Sequence, residues 1–292
     1  MSDGALHVAA DAPEGARRVL RRFARQRNVL IGGTIVAAVL VVAVFAPLLA
    51  PLPYDETNLF RSWYPPDETN LLGTDRLGRD ILSRLIHGAR TSLVVAFTVL
   101  GITLVVGGLI GMVAGYVGGR IDGFLMRSVD VTLAFPEVVV AILVAAWLGP
   151  GLLTVIVALA IVWWPGIARL TRSFVLVIRE ELYIDAAIVS GTSTFGIFRR
   201  HLLPNIAAPL LVRASVGVGF IIMAEATLSF IGLGIQEPTA SWGGMIRDGL
   251  PALRSDPYLA LFGSAALGIT VIGFNLLGDG LRDALDPRLQ GR

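Results

Sequence analysis

The sequence predicts an all-α integral membrane protein with six transmembrane helices. Of its 292 residues, 54% are hydrophobic and only 16% are charged, whereas a soluble domain carries about 25% charged residues. Long apolar runs alternate with short polar segments, which is typical of a chain that crosses a membrane repeatedly. The arginines, moreover, concentrate in alternate connecting segments.

Six apolar runs are long enough to cross a bilayer, since a spanning helix needs about 20 such residues. We expect spans at 29–50, 91–119, 131–149, 152–170, 210–233 and 258–278. The first run follows the basic stretch "RRVLRRFARQR". It is too long for the apolar core of a signal peptide, so we expect it to be retained as an anchor.

Arginine counts predict the orientation of the chain. With a cytoplasmic N-terminus, the inner segments 1–28, 120–130, 169–213 and 279–292 contain 17 Arg, against 7 in the outer segments. We therefore expect both termini of this multi-pass membrane protein to be cytoplasmic.

The residue inventory excludes several function classes. The chain has no Cys, three scattered His residues and no Lys, so thiol chemistry and a metal site are not expected. The phosphate-binding motif G-x-x-x-x-G-K-[ST] cannot occur without Lys. No basic patch with interleaved aromatic residues suggests a nucleic-acid partner. We expect no catalytic residues and no cofactor in this chain.

The second predicted span carries glycines four residues apart. Because residues i and i+4 share a helix face, they form a ridge without side chains where another helix can approach closely. This pattern fits packing within the chain and a subunit interface equally. The glycines are Gly107, Gly111, Gly115 and Gly119.

Residues 183–205, "YIDAAIVSGTSTFGIFRRHLLPN", form a polar segment within the longest inner loop. Gly191 and the Ser and Thr residues around it predict two short helices meeting at a bend, and Pro204 predicts the end of the segment. The small Ala186 and Ala187 would let a partner protein press against the backbone. The alternative is an amphipathic helix lying on the membrane surface.

The spacing in this segment resembles the cytoplasmic coupling loop of ABC importer permeases. The pattern is an acid, Ala-Ala, a Gly four residues later, and Leu-Pro after a further eleven. Two positions depart from the general pattern: His201 replaces an aliphatic residue, and Asp185 replaces the commoner Glu. The His-Leu-Leu-Pro-Asn form is similar to that of the peptide-transporting branch. The matching positions are Asp185, Ala186, Ala187, Gly191, His201, Leu203 and Pro204.

Four further stretches resemble the second (C-type) permease of dipeptide and oligopeptide importers. Their order and spacing are retained over most of residues 18–289. They are "LLGTDRLGRDILSRLIHGARTSL" (71–93), "GGRIDGFLMRSVDVTLAFP" (118–136), "EATLSFIGLGIQEPTASWGGMI" (225–246) and "NLLGDGLRDALDPRL" (275–289).

The resemblance implies a type I importer permease that forms a path for short peptides with a homologous permease. It further implies one or two cytoplasmic ABC ATPases that hold ATP and Mg, and an extracytoplasmic substrate-binding protein. Glutathione and nickel complexes are alternative substrates. The implied organisation is a basic tail at 1–28, the first helix and an outer segment at 29–90, a five-helix core at 91–281 containing the coupling loop 171–208, and a tail at 282–292.

The resemblance also implies roles within the coupling loop. We expect Asp185 to make a polar contact and start a helix, and Gly191 to provide the bend. Leu203 and Pro204 would terminate the segment, and the pair Arg199 and Arg200 adds positive charge near its end.

Two acidic residues at membrane depth raise the alternative of a proton-coupled transporter. Glu225 falls in the fifth predicted span, where we favour polar contacts at an interface or along the translocation path. Glu137 follows Pro136, and we expect it to reach water at the cytoplasmic boundary.

Two outer segments are candidates for contact with the binding protein. Asp80 and Arg84 lie four residues apart beside an apolar face (Ile81, Leu82, Leu85 and Ile86) and predict a short interfacial helix. The loop 234–257, with Pro238, Trp242 and Arg247, is the other candidate.

Overall fold

The computed structural model describes residues 26–285, so most of both predicted tails, 1–28 and 282–292, lies outside the described residues. A π-helical turn follows α8 at Phe198–Leu202, and short 3₁₀ turns lie at Leu59–Arg61 and Leu250–Ala252. The α-helices are α1 (Arg27–Val44), α2 (Ala46–Leu49), α3 (Ile81–Val117), α4 (Gly119–Leu133), α5 (Glu137–Leu148), α6 (Leu152–Ile178), α7 (Leu182–Val189), α8 (Thr194–Ile197), α9 (Leu203–Ile231), α10 (Trp242–Gly249) and α11 (Tyr258–Leu285).

Five of the helical stretches within residues 26–285 are long and apolar enough to cross a membrane, and a bent helix pair passes the same test when its two helices are counted together as one broken span. The five contain α1, α3, α6, α9 and α11. The bent pair is α4 and α5, whose axes differ by 86°. Six membrane crossings therefore fit the fold predicted from hydropathy.

The third predicted span, 131–149, is wrong as a straight helix. Proline lacks an N–H group and disfavours helical backbone at the preceding residue, and Pro136 here lies at the break and caps α5. With 12 residues, α5 extends only about 18 Å at ~1.5 Å per residue. This length is less than the ~30 Å of the hydrocarbon core, so α5 covers only part of the membrane depth.

The short interfacial helix predicted at 80–86 is also corrected, because α3 continues without a break for 37 residues. Asp80 is its N-cap, and its carboxylate accepts a 2.7 Å hydrogen bond from the Ser83 N–H. The first turns of α3 are covered by loops and Ile81 is buried. The first turns of α3 are therefore packed inside one end of the helix bundle and do not form a separate helix at its surface.

Helix α3 lies at the centre of the bundle. It packs most extensively against α6 and also contacts α1 and α9, while α11 packs against α1 and α9. The α3 residues Val95, Ala96 and Val99 are fully buried in the main hydrophobic core. A second, smaller core lies beneath residues 183–205.

Candidate functional site

The 183–205 segment folds as two short helices on either side of Gly191, as predicted. Gly191 has φ +78° and lies directly after the C-cap of α7. Its N–H donates to the Ile188 carbonyl (2.9 Å), and the Thr192 N–H donates to the Ala187 carbonyl (3.0 Å). This pair of bonds is the Schellman motif, which glycine favours because it requires a left-handed backbone.

The predicted termination at Leu203 and Pro204 is wrong. Helix α8, the π-helical turn and α9 run on without a break, and Thr194–Ile231 forms one apolar helical stretch. Pro204 lies in the first turn of α9, where a missing N–H is tolerated. The chain thus passes from the 183–205 segment directly into a membrane-spanning helix.

One face of the segment packs against the helix bundle. Ile184, Ile197 and Leu202 are buried, and they join a core that includes Met112 of α3 and Val175 of α6. The ring of Phe198 adds an edge-to-face contact with Tyr116 of α3 at 5.2 Å. The segment is therefore packed on two spanning helices and continuous with a third.

The opposite face of the segment exposes large apolar side chains. Val189 is 89% exposed and Phe195 74%, and Leu182, the residue just before the segment, is 84% exposed. Nothing else in the described part of the chain covers them. Such a surface next to polar residues is typical of a protein or membrane contact.

The predicted contact residues surround this exposed face. Asp185 lies in the first turn of α7 but is not its N-cap, which is Glu181. Asp185 and Ala186 are exposed and Ala187 is half-buried. His201 is half-buried, and the centre of its ring lies 6.0 Å from that of Tyr183.

Arg199 and Arg200 are both exposed. Together with Ser190, Gly191 and Ser193 they line an open groove of about 350 Å³. The groove lies beside the apolar face, so the surface of the segment combines apolar and cationic contacts.

Three of the four predicted glycines pack against α6. A Cβ atom at Gly107 would lie 2.5 Å from the Trp164 carbonyl oxygen, and Gly111 and Gly115 approach Ala168 and Arg172 in the same way. The close approach is therefore made within the chain. Gly119 is not part of this ridge, because α3 ends at Val117 and Gly119 begins α4.

Glu225 is fully buried between α9 and α3. Its carboxylate accepts hydrogen bonds from the hydroxyls of Ser92 (3.0 Å) and Ser229 (2.8 Å). The Ser229 hydroxyl also accepts the Ile235 N–H at 3.1 Å. Glu225 therefore faces the interior of this chain, away from the cavity described next.

Glu137 is exposed at the start of α5 and lines a cavity of about 310 Å³. The walls come from α5, α6 and α9 and include Trp163 and Phe220. Trp163 lies about 17 Å into α6 at ~1.5 Å per residue. The bend at Pro136 thus places Glu137 at a cavity that α6 lines near its middle.

Arg213 falls both in the inner segment 169–213 and in the predicted span 210–233. The structure places it within α9, with its guanidinium 5.8 Å from the centre of the Trp163 ring. The sequence indicates an unusual position for this residue only by showing a single arginine inside the apolar stretch "LLVRASVGVGF". Its contact with Trp163 cannot be read from spacing.

The two candidate outer segments form one ionic network. Arg79 is buried and bonds Asp75 (2.7 Å) and Glu237 (2.6 Å), and Arg76 also pairs with Glu237 (3.0 Å). Arg84 lies 3.4 Å from Asp75 and joins this network. Burial raises the pKa of Glu237, but the bonds and charges of Arg79 and Arg76 outweigh it and lower this pKa to about 2.

Trp242 connects α10 to α3. The indole N–H donates to the Leu85 carbonyl at 3.1 Å, and the ring covers Gly88. The loop after α9 and the start of α3 therefore form a single rigid surface.

Comparison with known proteins places this architecture among membrane transport components. Residues 107–291 match the family "Binding-protein-dependent transport system inner membrane component", and residues 16–71 match the "N-terminal TM domain of oligopeptide transport permease C". Relatives that are similar over nearly the whole chain include a dipeptide, an oligopeptide and a glutathione permease.

The dipeptide transport system permease protein DppC of Alkalihalophilus pseudofirmus is 40% identical over 94% of this chain and 90% of its own length. The oligopeptide transport system permease protein OppC of Bacillus subtilis is 38% identical over 92% and 88%. The glutathione transport system permease protein GsiD of Pectobacterium atrosepticum is 40% identical over 94% and 91%.

Proposed function

Because this chain belongs to the family of binding-protein-dependent transport system inner membrane components, we propose that it forms a path for di- and oligopeptides with a second, homologous permease. In this proposal, a separate cytoplasmic ATPase drives the path through the 183–205 segment.

The family defines the general class of the protein. The chain is a permease subunit of a type I ABC importer and a multi-pass protein of the inner membrane. It is a transport component and not an enzyme. The substrate, the partners and the route of coupling belong to the proposal.

The two faces of the 183–205 segment are the observation that carries the proposal. Ile184 and Ile197 are buried in the bundle, whereas Val189 and Phe195 are exposed. A partner that binds the exposed face would therefore act on α3, α6 and α9 through a packed contact. The second permease would carry an equivalent segment. If ATP binding moves the two segments relative to each other, this displacement is a physical basis for coupling ATP binding to alternating access.

The remaining partners follow from the family. ATP and Mg would be held by one or two cytoplasmic ABC ATPases, and an extracytoplasmic binding protein would deliver the substrate. The ionic surface around Arg79 and Glu237 is the proposed contact for that protein, and both termini would be cytoplasmic.

Short peptides are the proposed substrate because relatives named as dipeptide and oligopeptide permeases match this chain over most of its length. A glutathione permease of similar identity supports glutathione, itself a peptide, as the second candidate. Nickel complexes remain a further alternative substrate, which the resemblance of the sequence to this family implies.

Substitution of Gly191 tests the coupling role. A Cβ atom at Gly191 would meet nothing within 4 Å, so a new side chain projects outward toward the proposed partner. Gly191→Arg should abolish ATPase binding, because a charge buried without a partner costs several kcal/mol. Gly191→Asn is the matched control, since Asn tolerates left-handed backbone. Asp185→Ala should give a milder defect.

The variants are compared after purification with all partners. We expect Gly191→Arg to insert and to retain the second permease, but to lose the ATPase or its stimulation by substrate-loaded binding protein. Normal peptide uptake by Gly191→Arg with the ATPase bound would return the segment to the alternative of a membrane-surface helix.

The energy source is tested with the complex in proteoliposomes. Uptake of a radiolabelled dipeptide should require ATP and should survive a protonophore. Uptake that persists without ATP and collapses with the protonophore would support a secondary transporter instead.

A further inference from the structure

We propose that α4 (Gly119–Leu133) lies in the cytoplasmic interface of the membrane and binds anionic phospholipid. Its exposed apolar side chains would contact the acyl chains, and Arg120 and Arg127 would bind the phosphates. This lipid contact is independent of the transported substrate. It uses the expected orientation, in which 120–130 is an inner segment.

The first observation is the direction of α4. Its Asp122 pairs with Arg172 of α6 at 2.5 Å, and its Asp130 pairs with Arg169 of α6 at 2.5 Å. At ~1.5 Å per residue, the two acids lie about 12 Å apart along α4, whereas the two arginines lie about 4.5 Å apart along α6. Helix α4 therefore crosses α6 at a steep angle, and its axis also differs by 86° from that of α5. Because α6 spans the membrane, α4 lies closer to the membrane plane than to its normal.

The second observation is the division of α4 into two faces. The face toward the bundle contains the two paired acids and Val129, which is fully buried. Residues three, four or seven positions apart share one face of a helix, and on the opposite face Ile121, Phe124 and Val131 are all exposed. Phe124 is the most exposed of the three, at 73%. The helix thus presents an apolar face directly opposite its contact with the bundle.

The third observation is the charge on this exposed face. Arg120 precedes Phe124 by four residues and Arg127 follows it by three, so both arginines lie on the same side of the helix as the phenyl ring. Both are exposed. Within residues 26–285, the ion pairs include neither of them. The apolar face is therefore accompanied by two cations that have no carboxylate partner in the described part of the chain.

This combination selects an anionic phospholipid. A basic amphipathic helix in the membrane plane inserts its apolar side chains about 5–10 Å into the boundary between headgroups and acyl chains. A guanidinium binds phosphate through two parallel hydrogen bonds, and an anionic leaflet attracts arginine side chains at its surface. The competing occupant is the second permease. Lipid is favoured over it because α4 lies near the membrane plane at the expected inner boundary.

Photo-crosslinking identifies the occupant. Benzoylphenylalanine is introduced in place of Phe124, and the complete complex is reconstituted in vesicles of phosphatidylcholine and phosphatidylglycerol. We expect irradiation to attach phosphatidylglycerol to this residue in preference to phosphatidylcholine. Benzoylphenylalanine in place of Phe60 is the matched control. Phe60 is fully exposed but lies in the outer segment 51–90, so it should show no such preference.

A double variant tests the contribution of charge. Each arginine near an anionic surface strengthens binding by about fivefold. Arg120→Gln combined with Arg127→Gln should therefore reduce the preference for phosphatidylglycerol at residue 124 by about 25-fold at low ionic strength. Added salt should weaken the preference in the unaltered chain, because it screens charges at a surface. Arg254→Gln removes an exposed arginine from the outer loop 234–257 and should leave the preference unchanged.

The outcomes separate the two occupants. Equal labelling by both lipids, or an unchanged preference in the double variant, overturns the contact with anionic lipid. A crosslink from residue 124 to the second permease or to the ATPase, in place of lipid, overturns it in favour of a protein interface. A complex that captures phosphatidylglycerol as expected but imports no peptide would support the lipid contact and contradict the proposed function.

Discussion

Arg79 donates a 2.6 Å hydrogen bond from Nη2 to Oε1 of Glu237, which lies 158 residues later in the chain. The same guanidinium holds Asp75 through Nε at 2.7 Å. The segment before α3 and the loop after α9 are thereby held together by buried or half-buried charges. The surface they form is stabilised by ion pairs, and it should depend on pH.

Acidification should weaken this surface through Glu237. Its pKa falls on folding from 4.5 to about 2, so its contribution is present above pH 4.5 and is lost as the pH falls from 4.5 toward 2. In detergent, the unaltered protein should lose more thermal stability over this interval than Glu237→Gln. Tryptophan fluorescence melts at several pH values measure the difference.

Asp256 and Glu68 determine how the effect of Glu237 is isolated in this experiment. Burial raises the pKa of Asp256, an effect of opposite sign that is common to both proteins and cancels in the comparison. Glu68→Gln removes an exposed carboxylate and should retain the pH dependence of the unaltered chain. Parallel curves for the unaltered protein and Glu237→Gln would refute the role of Glu237.

Gly107→Ala should destabilise the bundle. The new Cβ atom would lie 2.5 Å from the Trp164 carbonyl and 2.9 Å from Ile167 Cβ, so α3 and α6 must separate. Overpacking of this kind costs about 1–3 kcal/mol. Gly108→Ala is the matched control, because its Cβ would meet nothing within 4 Å and Ala favours a helix by about 0.5–1 kcal/mol over Gly. Melting in detergent should rank Gly107→Ala lowest; equal melting temperatures would contradict the close packing.

Glu225→Gln should transport normally, since an amide can still hydrogen-bond to Ser92 and Ser229. Glu225→Leu should lose stability by about 1–3 kcal/mol, because it leaves these buried hydroxyls without their partner. ATP-driven uptake and melting temperature are measured for both. A proton relay through Glu225 requires a titratable group, so loss of uptake in Glu225→Gln with unchanged stability would favour that alternative.

Single cysteines should establish the topology without background, because the chain has no native Cys. Ser62 and Ser190 are both exposed and lie in the segments predicted to be outside and inside. Ser62→Cys should react with a membrane-impermeant maleimide applied from outside, and Ser190→Cys only after permeabilisation. Labelling of both from one side would refute the orientation with both termini cytoplasmic.

Local features of the sequence predicted much of the fold. Hydropathy identified the apolar stretches because burial in lipid depends on composition over about 20 residues. The turn at Gly191 was also readable, since a left-handed position after a short helix selects glycine. The i, i+4 glycines indicated a close helix contact, which the structure places between α3 and α6.

Continuity and breaks of helices were predicted less well. Pro204 suggested an end but lies in the first turn of α9, where proline is tolerated. Pro136 suggested no break but separates α4 from α5. The same residue type ends, begins or bends a helix according to the neighbours that satisfy the freed backbone groups.

The sequence by itself determined that this chain crosses a membrane, which family it resembles and where the 183–205 segment bends. Only the tertiary structure decided that Arg79 pairs with Glu237, that Gly119 leaves the glycine ridge, and that Glu137 shares a cavity with Trp163. The physical reason is the separation along the chain of the residues that determine each feature. Hydropathy and turn preferences are set by adjacent residues, whereas these contacts join groups far apart in the chain and exist only after the helices have packed.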